Sequence, residues 1–323
     1  MKTLIKKNLY YENNFAGEIE AGAGLGFLGD RGFTFGGSSS SDVIAYFSIG
    51  TAAAGISSAD FGEMLQGIER PAAISSRYRI IRACGNLNPT AGNTNTDVLE
   101  YITAMTLGAA VDFGDYLYIT QQCDAVSDGS RGVIAGGSTT PGVNTATDTM
   151  GWITIGTADN ASDFGDLSVA RHSPFVTHDG NRGIFAMGSV APPGNSNIMD
   201  FTTIGILSNC IDYGDATRSS TMCGGCVTDG SRGVFMGGGA SNTDTIDYVT
   251  IGSIGNAIDF GNLLSSRGYA SQTSNGSRGV VSHGEPGDGA TKEWINIGTL
   301  SSAVDAGEMH VNRTNMPGGA SGG

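Results

Sequence analysis

Six copies of one short pattern run along the chain, and they constrain its fold more than any other feature. In each copy, a strand-like run that starts with Arg and ends in glycine is followed 15 to 22 residues later by an aromatic residue, and then by Asp-aromatic-Gly or a near copy. The strand-like runs start 46 to 52 residues apart, at Arg31, Arg79, Arg131, Arg182, Arg232 and Arg278. The Asp residues keep the same spacing, at Asp60, Asp112, Asp163, Asp212, Asp259 and Asp305.

A period of this length, with four short β-type runs in each repeat and turn residues between them, is typical of propeller blades. The sequence therefore predicts an all-β protein: a single six-bladed β-propeller of four-stranded antiparallel blades. It spans residues 21–313, with repeats, here called units one to six, starting near 24, 71, 123, 172, 222 and 268. Two segments lie outside the repeats, an N-terminal arm at 1–20 and a Gly-rich tail at 314–323.

The four runs of a unit are separated by recognisable turn signals. A pair such as Asp128-Gly129 or Asn275-Gly276 lies between the first and second runs and is typical of a two-residue hairpin turn. The third run carries one large ring in every unit, predicted to pack one blade on the next. We expect the Arg of each second run to bond carbonyls or an Asp of the adjacent blade. The ring positions, the predicted repeat core, are Tyr46, Tyr101, Trp152, Phe201, Tyr248 and Trp294.

The ends of the chain bear on how the ring closes. Residues 24–29 precede the first Arg-Gly run and are strand-like, so they are expected to form the inner strand of blade one. The tail from Arg313, RTNMPGGASGG, is poor in strand formers. The sequence therefore predicts that each blade is one contiguous segment and that residues 314–323 are surplus.

Composition excludes several classes of partner. Charged residues make up 15% of the 323 and the net charge is −14. Because phosphate contacts need clustered Lys and Arg, no binding to nucleic acid is expected. No run is long and apolar enough for membrane insertion, and the N-terminus lacks the apolar core of a secretory signal.

Cysteine and histidine residues show no catalytic or metal-binding pattern. The odd number of cysteines argues against a disulfide framework, and the Cys223-Gly-Gly-Cys226 pair lacks the second pair that a zinc site needs. Cys226 is better explained as a small buried strand residue. The four histidines are scattered, and the Asp-aromatic-Gly carboxylates recur at equivalent positions, as turn formers do. The sequence predicts no catalytic, cofactor-binding or metal-binding residue, no cofactor, and no enzymatic activity.

The order of runs within a unit resembles the kelch repeat of galactose-oxidase-type β-propellers. It departs from that pattern in having Asp-Phe-Gly where the kelch outer strand has Trp, and in keeping Gly-Gly only in units one, three and five. The combination of DGSRGVF from Asp229, IDYVTIG from Ile246 and DFGDL from Asp163 more closely resembles repeats in structural and tail-fibre-associated proteins of tailed phages, especially marine ones. This resemblance implies a virion protein assembled in the host cytoplasm. The oxidase's own copper-ligand pattern cannot be placed here, so its activity does not carry over.

Three functions stay open at this stage. A virion structural and interaction protein is favoured by the even repeats. A propeller that binds a host receptor or glycan would use the variable loops after the second runs, which are rich in residues that form hydrogen bonds with little charge. A carbohydrate-active enzyme is the third. The candidate recognition residues are Asn86, Asn88, Thr90, Asn93, Asn95, Thr139, Thr140, Asn144, Asn195 and Asn197.

The N-terminal arm is the candidate anchor. It matches no part of the repeat and combines a basic cluster with apolar and aromatic residues. Such an arm is suited to docking on an acidic neighbour, so the expected partners are other virion proteins or copies of the same chain. The candidate anchor residues are Lys2, Leu4, Ile5, Lys6, Lys7, Leu9, Tyr10, Tyr11 and Phe15.

Overall fold

The computed structural model describes residues 30–37, 41–50, 58–87, 94–140, 145–190, 194–222, 226–239, 243–286, 290–314 and 318–322. The regular elements of these ranges are all β-strands. Units one to three contain β1 (Arg31–Phe35), β2 (Val43–Ser48), β3 (Ala59–Glu63), β4 (Ala72–Ser75), β5 (Arg79–Leu87), β6 (Thr94–Thr103), β7 (Val111–Thr120), β8 (Asp124–Ser127), β9 (Arg131–Ala135), β10 (Thr147–Thr154) and β11 (Ser162–His172). The remaining strands are β12 (Phe175–His178), β13 (Arg182–Ala186), β14 (Ser189–Val190), β15 (Gly194–Thr203), β16 (Ile211–Ser220), β17 (Cys226–Thr228), β18 (Arg232–Met236), β19 (Thr243–Thr250), β20 (Ile258–Arg267), β21 (Ser271–Ser274), β22 (Arg278–Ser282), β23 (Thr291–Asn296), β24 (Val304–Glu308) and β25 (Gly318–Gly322).

The strands pair into antiparallel sheets, as the repeat predicts. Four sheets are separate four-stranded blades, in the orders β25-β1-β2-β3, β4-β5-β6-β7, β17-β18-β19-β20 and β21-β22-β23-β24. The protein is an all-β propeller with four-stranded antiparallel blades.

Units three and four differ from the predicted arrangement because they share one nine-stranded sheet. The two-residue strand β14 pairs with the end of β11 through Arg171 and His172, and with the start of β15 through Gly194 and Asn195. The pairing therefore gives four separate blades where the sequence predicts six. The difference arises in the segment after β13. The sequence predicts a variable loop there, whereas in the structure this segment forms the strand β14 between the edges of two sheets.

The predicted closure of the ring is wrong. Strand β25 pairs antiparallel with β1 along its whole length, from Gly318 opposite Phe35 to Gly322 opposite Arg31, so the tail supplies the inner strand of unit one. Its glycines permit this approach: an added Cβ would lie 2.3 Å from the Phe35 ring at Gly318 and 2.4 Å from the Gln272 carbonyl oxygen at Gly319. The low strand propensity of the tail did not predict the pairing of β25 with β1, because this pairing depends on the close backbone approach that glycine allows. Residues 24–29, predicted to hold this place, lie outside the described residues.

The hydrophobic core lies between consecutive units. One cluster joins Ile81 and Phe113 of unit two to Ile134 and Ile153 of unit three. Equivalent clusters join each unit to the next, including unit six to unit one through Val280. Burial of a Val, Ile or Phe side chain contributes roughly 1.5–3 kcal/mol, so these layers supply much of the folding free energy. The inner strands also contact one another in closed order: β4, β8, β12, β17, β21 and β25.

Candidate functional site

The Arg that begins each second strand links its unit to the next. Arg232 lies over the ring of Tyr248, 4.8 Å from its centroid, and donates a 2.7 Å hydrogen bond to the carbonyl of Ile297 in the following unit. The bonds to carbonyls that the sequence predicts are thus present, and they hold these guanidinium groups in structural contacts. The other hydrogen bonds of this kind run from the Arg side chain to a backbone carbonyl and join Arg31 to Ala104, Arg79 to Ile155, Arg131 to Ile204, Arg182 to Ile251, and Arg278 to Gly50.

The six ring positions predicted as repeat core lie among the hydrophobic clusters between units. Tyr101 packs edge-on against Phe113 of the Asp-Phe-Gly run, with ring centroids 6.0 Å apart, and Tyr248 packs in the same way on Phe260. Such pairs stabilise by about 0.5–1.5 kcal/mol beyond area burial. The other ring positions, packed against or within the remaining clusters, are Tyr46, Trp152, Phe201 and Trp294.

Buried ion pairs add a polar layer between neighbouring units. Arg171 and Asp200 are both fully buried, and the guanidinium Nη2 lies 2.7 Å from the carboxylate Oδ2. Burial lowers the pKa of Arg171, while the Asp200 charge opposes that shift. Similar pairs join units four and five and units five and six; a further pair lies within unit two. Their partners are Arg218 and Asp247, Arg267 and Glu293, and Arg82 and Glu100.

Two of the predicted recognition residues are structural. Asn86 and Asn95 lie in the paired strands β5 and β6, and only 1% and 2% of their surfaces are exposed. The Asn86 amide donates to Asn95 Oδ1 at 3.2 Å, and the Asn95 amide donates to the Ser138 carbonyl at 2.9 Å. The prediction of loop-tip contacts is therefore wrong for this pair, because the hairpin extends beyond the point where the sequence indicates a loop.

The remaining residues that the sequence singled out are accessible, buried or outside the described ranges. Thr140 and Asn195 are exposed, and Thr139 and Asn197 are half-buried, so the structure leaves these four accessible. Cys226 is buried on β17. The rest lie outside the described residues: Asn88, Thr90, Asn93, Asn144, Cys223 and the candidate anchor residues Lys2, Leu4, Ile5, Lys6, Lys7, Leu9, Tyr10, Tyr11 and Phe15.

Within the described ranges, no group of three or more His, Cys, Asp and Glu side chains is arranged to hold a metal ion. No helix found there is long and apolar enough to cross a bilayer.

A narrow cavity of about 70 Å³ lies on the axis between the inner strands. Ser75, His178, Thr228 and Ser274 are among the residues that line it. Burial lowers the pKa of His178 to about 4, so its imidazole is neutral at physiological pH. Beside the axis, on β8, burial raises the pKa of the Asp124 carboxyl to about 7, opposed by a 2.9 Å hydrogen bond from the Ala125 amide.

Exposed apolar side chains repeat at two equivalent positions: the loop between the third and fourth strands, and the first residue of the outer strand. Ile206 in the unit four loop is 62% exposed. Because neighbouring strands are antiparallel, these loops lie at the same end of each sheet as the turns between the first and second strands. The other members are Met105, Leu107, Val111, Leu207, Ile211, Ile254, Ile258, Leu300 and Val304.

A cleft of about 400 Å³ opens on this same face between units two and three. One wall is the turn Ser76–Arg79, and the other includes Asp128–Ser130 and the backbone near Ile155. Tyr78 is 63% exposed at this cleft, and the Arg77 guanidinium lies 6.0 Å from the centroid of the Tyr78 ring. This site is not among the residues predicted from the sequence. The sequence feature that could have indicated it is the Arg77-Tyr78 pair of unit two, at the position where units three and five have Gly-Ser.

Comparisons with known proteins support the fold. No protein-family model matches the chain, and no curated protein matches it. A solved structure described as "Structure of YjhT" is similar, with a TM-score of 0.69 and 10% sequence identity, over 87% of this chain and 97% of the other. At this identity the similarity shows a shared β-propeller fold and nothing further.

Proposed function

We propose that the protein is a non-enzymatic interaction module, a six-bladed propeller that serves as a structural component of a tailed-phage virion. The phage assignment rests on the resemblance of its repeats. The interaction role rests on the repeated apolar face.

The contacts between units support six blades. The Arg–carbonyl bonds run from unit one through unit six and back to unit one, with the last joining Arg278 to the Gly50 carbonyl at 3.0 Å. The nine-stranded sheet contains two sets of four strands in the same order as the separate blades: β8-β9-β10-β11 and β12-β13-β15-β16. We therefore treat units three and four as two blades that β14 joins at their edges.

The exposed apolar side chains are the observation that carries the interaction role. Single exposed apolar residues are ordinary on protein surfaces. Here they recur at the same two positions in units two, four, five and six, and form an apolar pattern typical of a protein-binding surface. An exposed Asp follows at the next position of each outer strand, as at Ile211-Asp212 and Ile258-Asp259, so the surface favours an apolar partner that carries positive charge.

The N-terminal arm of a second copy has this chemistry, since it combines Lys2, Lys6 and Lys7 with apolar and aromatic residues. The position of Asp30 is consistent with such an exchange. Its carboxylate accepts hydrogen bonds from Ser48 and Gly50 at the end of β2, so the chain enters the propeller on the face that bears the apolar loops. We propose that the arm of one copy binds this face on the next.

The test is self-association of the purified chain, measured by multi-angle light scattering. The wild type is expected to form oligomers. A chain that lacks residues 1–20 and the double variant Ile211→Asp/Ile258→Asp should both be monomeric, with unchanged far-ultraviolet circular dichroism. A monomeric wild type, or oligomers that survive both changes, would contradict arm exchange. In phage assembly, normal incorporation of the truncated chain into particles would rule out the anchor.

A further inference from the structure

We propose that the cleft between units two and three binds a neutral sugar ring of a glycan, stacked on Tyr78. This inference does not rest on the self-association proposed above, because it concerns a different part of the face.

The turn that carries Arg77 and Tyr78 is capped by its first residue, as the equivalent turn of unit three is. In unit three, Asp128 Oδ1 accepts the backbone amides of Ser130 and Arg131 at 2.7 and 2.5 Å. In unit two, Ser76 Oγ takes this role, since it accepts the amides of Tyr78 and Arg79 at 3.3 and 3.0 Å. In both units, therefore, the side chain of the first turn residue stabilises the turn by accepting backbone amide hydrogen bonds.

The two central residues differ from those of the equivalent turns in the other units. The equivalent glycines have left-handed backbones, with φ of 85° at Gly129 and 84° at Gly230, a conformation that glycine adopts without strain. Unit two has Arg77 in that position, and Arg77 is not among the described residues with a positive φ, so this turn has a backbone that arginine adopts without strain. Tyr78 is largely exposed, so it gains little from burial. A large exposed ring where the equivalent turns have Ser130 and Ser231 indicates a role in binding.

The rest of the cleft supplies a rigid, polar frame for a ligand. The Arg79 guanidinium lies 4.4 Å from the centroid of the Tyr101 ring and bonds the Ile155 carbonyl at 3.0 Å, so this wall is held by both neighbouring units. Asp128 lies on the opposite wall, where its carboxylate can accept from sugar hydroxyls, while Arg77 can donate to them. A cleft of about 400 Å³ is within the usual range of about 300–1,000 Å³ for small-molecule sites.

The chemistry favours a neutral sugar over other ligands. The apolar C–H face of a pyranose matches a Tyr ring, and its equatorial hydroxyls match flanking donors and acceptors. Arg77 and Asp128 are of opposite charge, and the chain carries −14 overall, so a polyanion would meet long-range repulsion.

The experiment compares the wild type with Arg77→Gly/Tyr78→Ser, which restores the Gly-Ser pair found in units three and five and should leave folding intact. The probes are methyl glycosides of glucose, galactose, mannose and N-acetylglucosamine, observed by saturation-transfer difference NMR, and a microarray of bacterial surface polysaccharides. We expect wild-type binding to at least one probe, weakened about tenfold or more in the double variant. Tyr78→Trp should retain binding, because it keeps the stacking surface.

The control is Leu264→Ser, which removes an exposed apolar side chain on the outer strand of unit five and should leave sugar binding unchanged. The proposal is overturned if the wild type binds none of the probes, or if the double variant binds as tightly as the wild type. Either result would leave the light-scattering test of arm exchange unaffected.

Discussion

At the residue scale, the glycines of the repeat are set by contacts between units. In every unit except unit two, a glycine follows the strand-starting Arg and makes room for an inner-strand side chain of the preceding unit: a Cβ at Gly132 would lie 2.6 Å from Ile74, and one at Gly183 would lie 2.6 Å from Val126. The glycine of Asp-aromatic-Gly faces a loop carbonyl of the next unit. At Gly214, which has φ of 133°, an added Cβ would lie 2.7 Å from the Gly255 oxygen.

The first prediction follows from this contact. Gly214→Ala should lower the free energy of unfolding by about 2 kcal/mol or more, because the new methyl group meets a fixed carbonyl and the backbone conformation is strained for alanine. Urea unfolding measures the change. Gly205→Ala is the matched control, since an added Cβ there meets nothing within 4 Å. Its expected effect is within about 0.5 kcal/mol, and equal losses in the two variants would contradict the contact argument.

The second prediction concerns Asp124. Burial raises the pKa of its carboxyl from 3.8 to about 7, so the folded state holds a proton that the unfolded state releases near pH 4. This carboxyl therefore favours the folded state most at low pH, and that contribution is lost as pH rises from about 4 to about 7. Asp124→Asn cannot ionise, so its stability relative to the wild type should rise between pH 4.5 and pH 8.

Urea unfolding at the two pH values measures this difference. The exposed Asp148→Asn serves as the control and should show no such rise. A constant difference between Asp124→Asn and the wild type across this range would show that the carboxyl is not desolvated in the folded state.

At the element scale, closure depends on β25, the strand that sequence reasoning missed. Arg313, just before it, is fully buried and donates to the Val43 carbonyl at 2.6 Å, while burial lowers its pKa to about 10. Strand β25 also contacts the inner strands β4 and β21 on either side. The C-terminal segment is therefore part of the folded ring.

The third prediction is that deletion of residues 315–323 destabilises the protein, whereas deletion of residues 1–20 does not. The first deletion exposes the edge of β1 and breaks the cycle of inner strands. The second removes residues that match no part of the repeat. Thermal unfolding should show a melting temperature several degrees lower for the C-terminal deletion. An unchanged melting temperature would mean that β25 contributes no stability to the ring.

At the scale of the whole molecule, the closed order of contacts links all the units. Hydrophobic clusters, Arg–carbonyl bonds and inner-strand contacts each return from unit six to unit one. In an open array, by contrast, each repeat contacts only its neighbours and the ends can unfold first. A closed ring has no such ends.

The fourth prediction is therefore a single cooperative unfolding transition. The chain has two tryptophans, Trp152 in unit three and Trp294 in unit six, and their fluorescence reports on well-separated units. In urea, Trp152→Phe and Trp294→Phe should each give a fluorescence transition that coincides with the one seen by circular dichroism of the same variant. A lag between the two probes in either variant would contradict cooperative closure.

The sequence alone determined the local features of this protein. Turn residues, strand periodicity and the spacing of Arg, aromatic and Asp-aromatic-Gly positions act over a few residues, so they can be read directly and predict four-stranded antiparallel blades. Three features depended on the tertiary structure: the pairing of β25 with β1, the joining of units three and four by β14, and the cleft at Tyr78. The first joins the two ends of the described chain, and the glycines of β25 carry no side-chain pattern by which this pairing could be recognised. The second and third depend on how neighbouring units meet, through backbone edges or side chains of different units, which the pattern within one repeat does not specify.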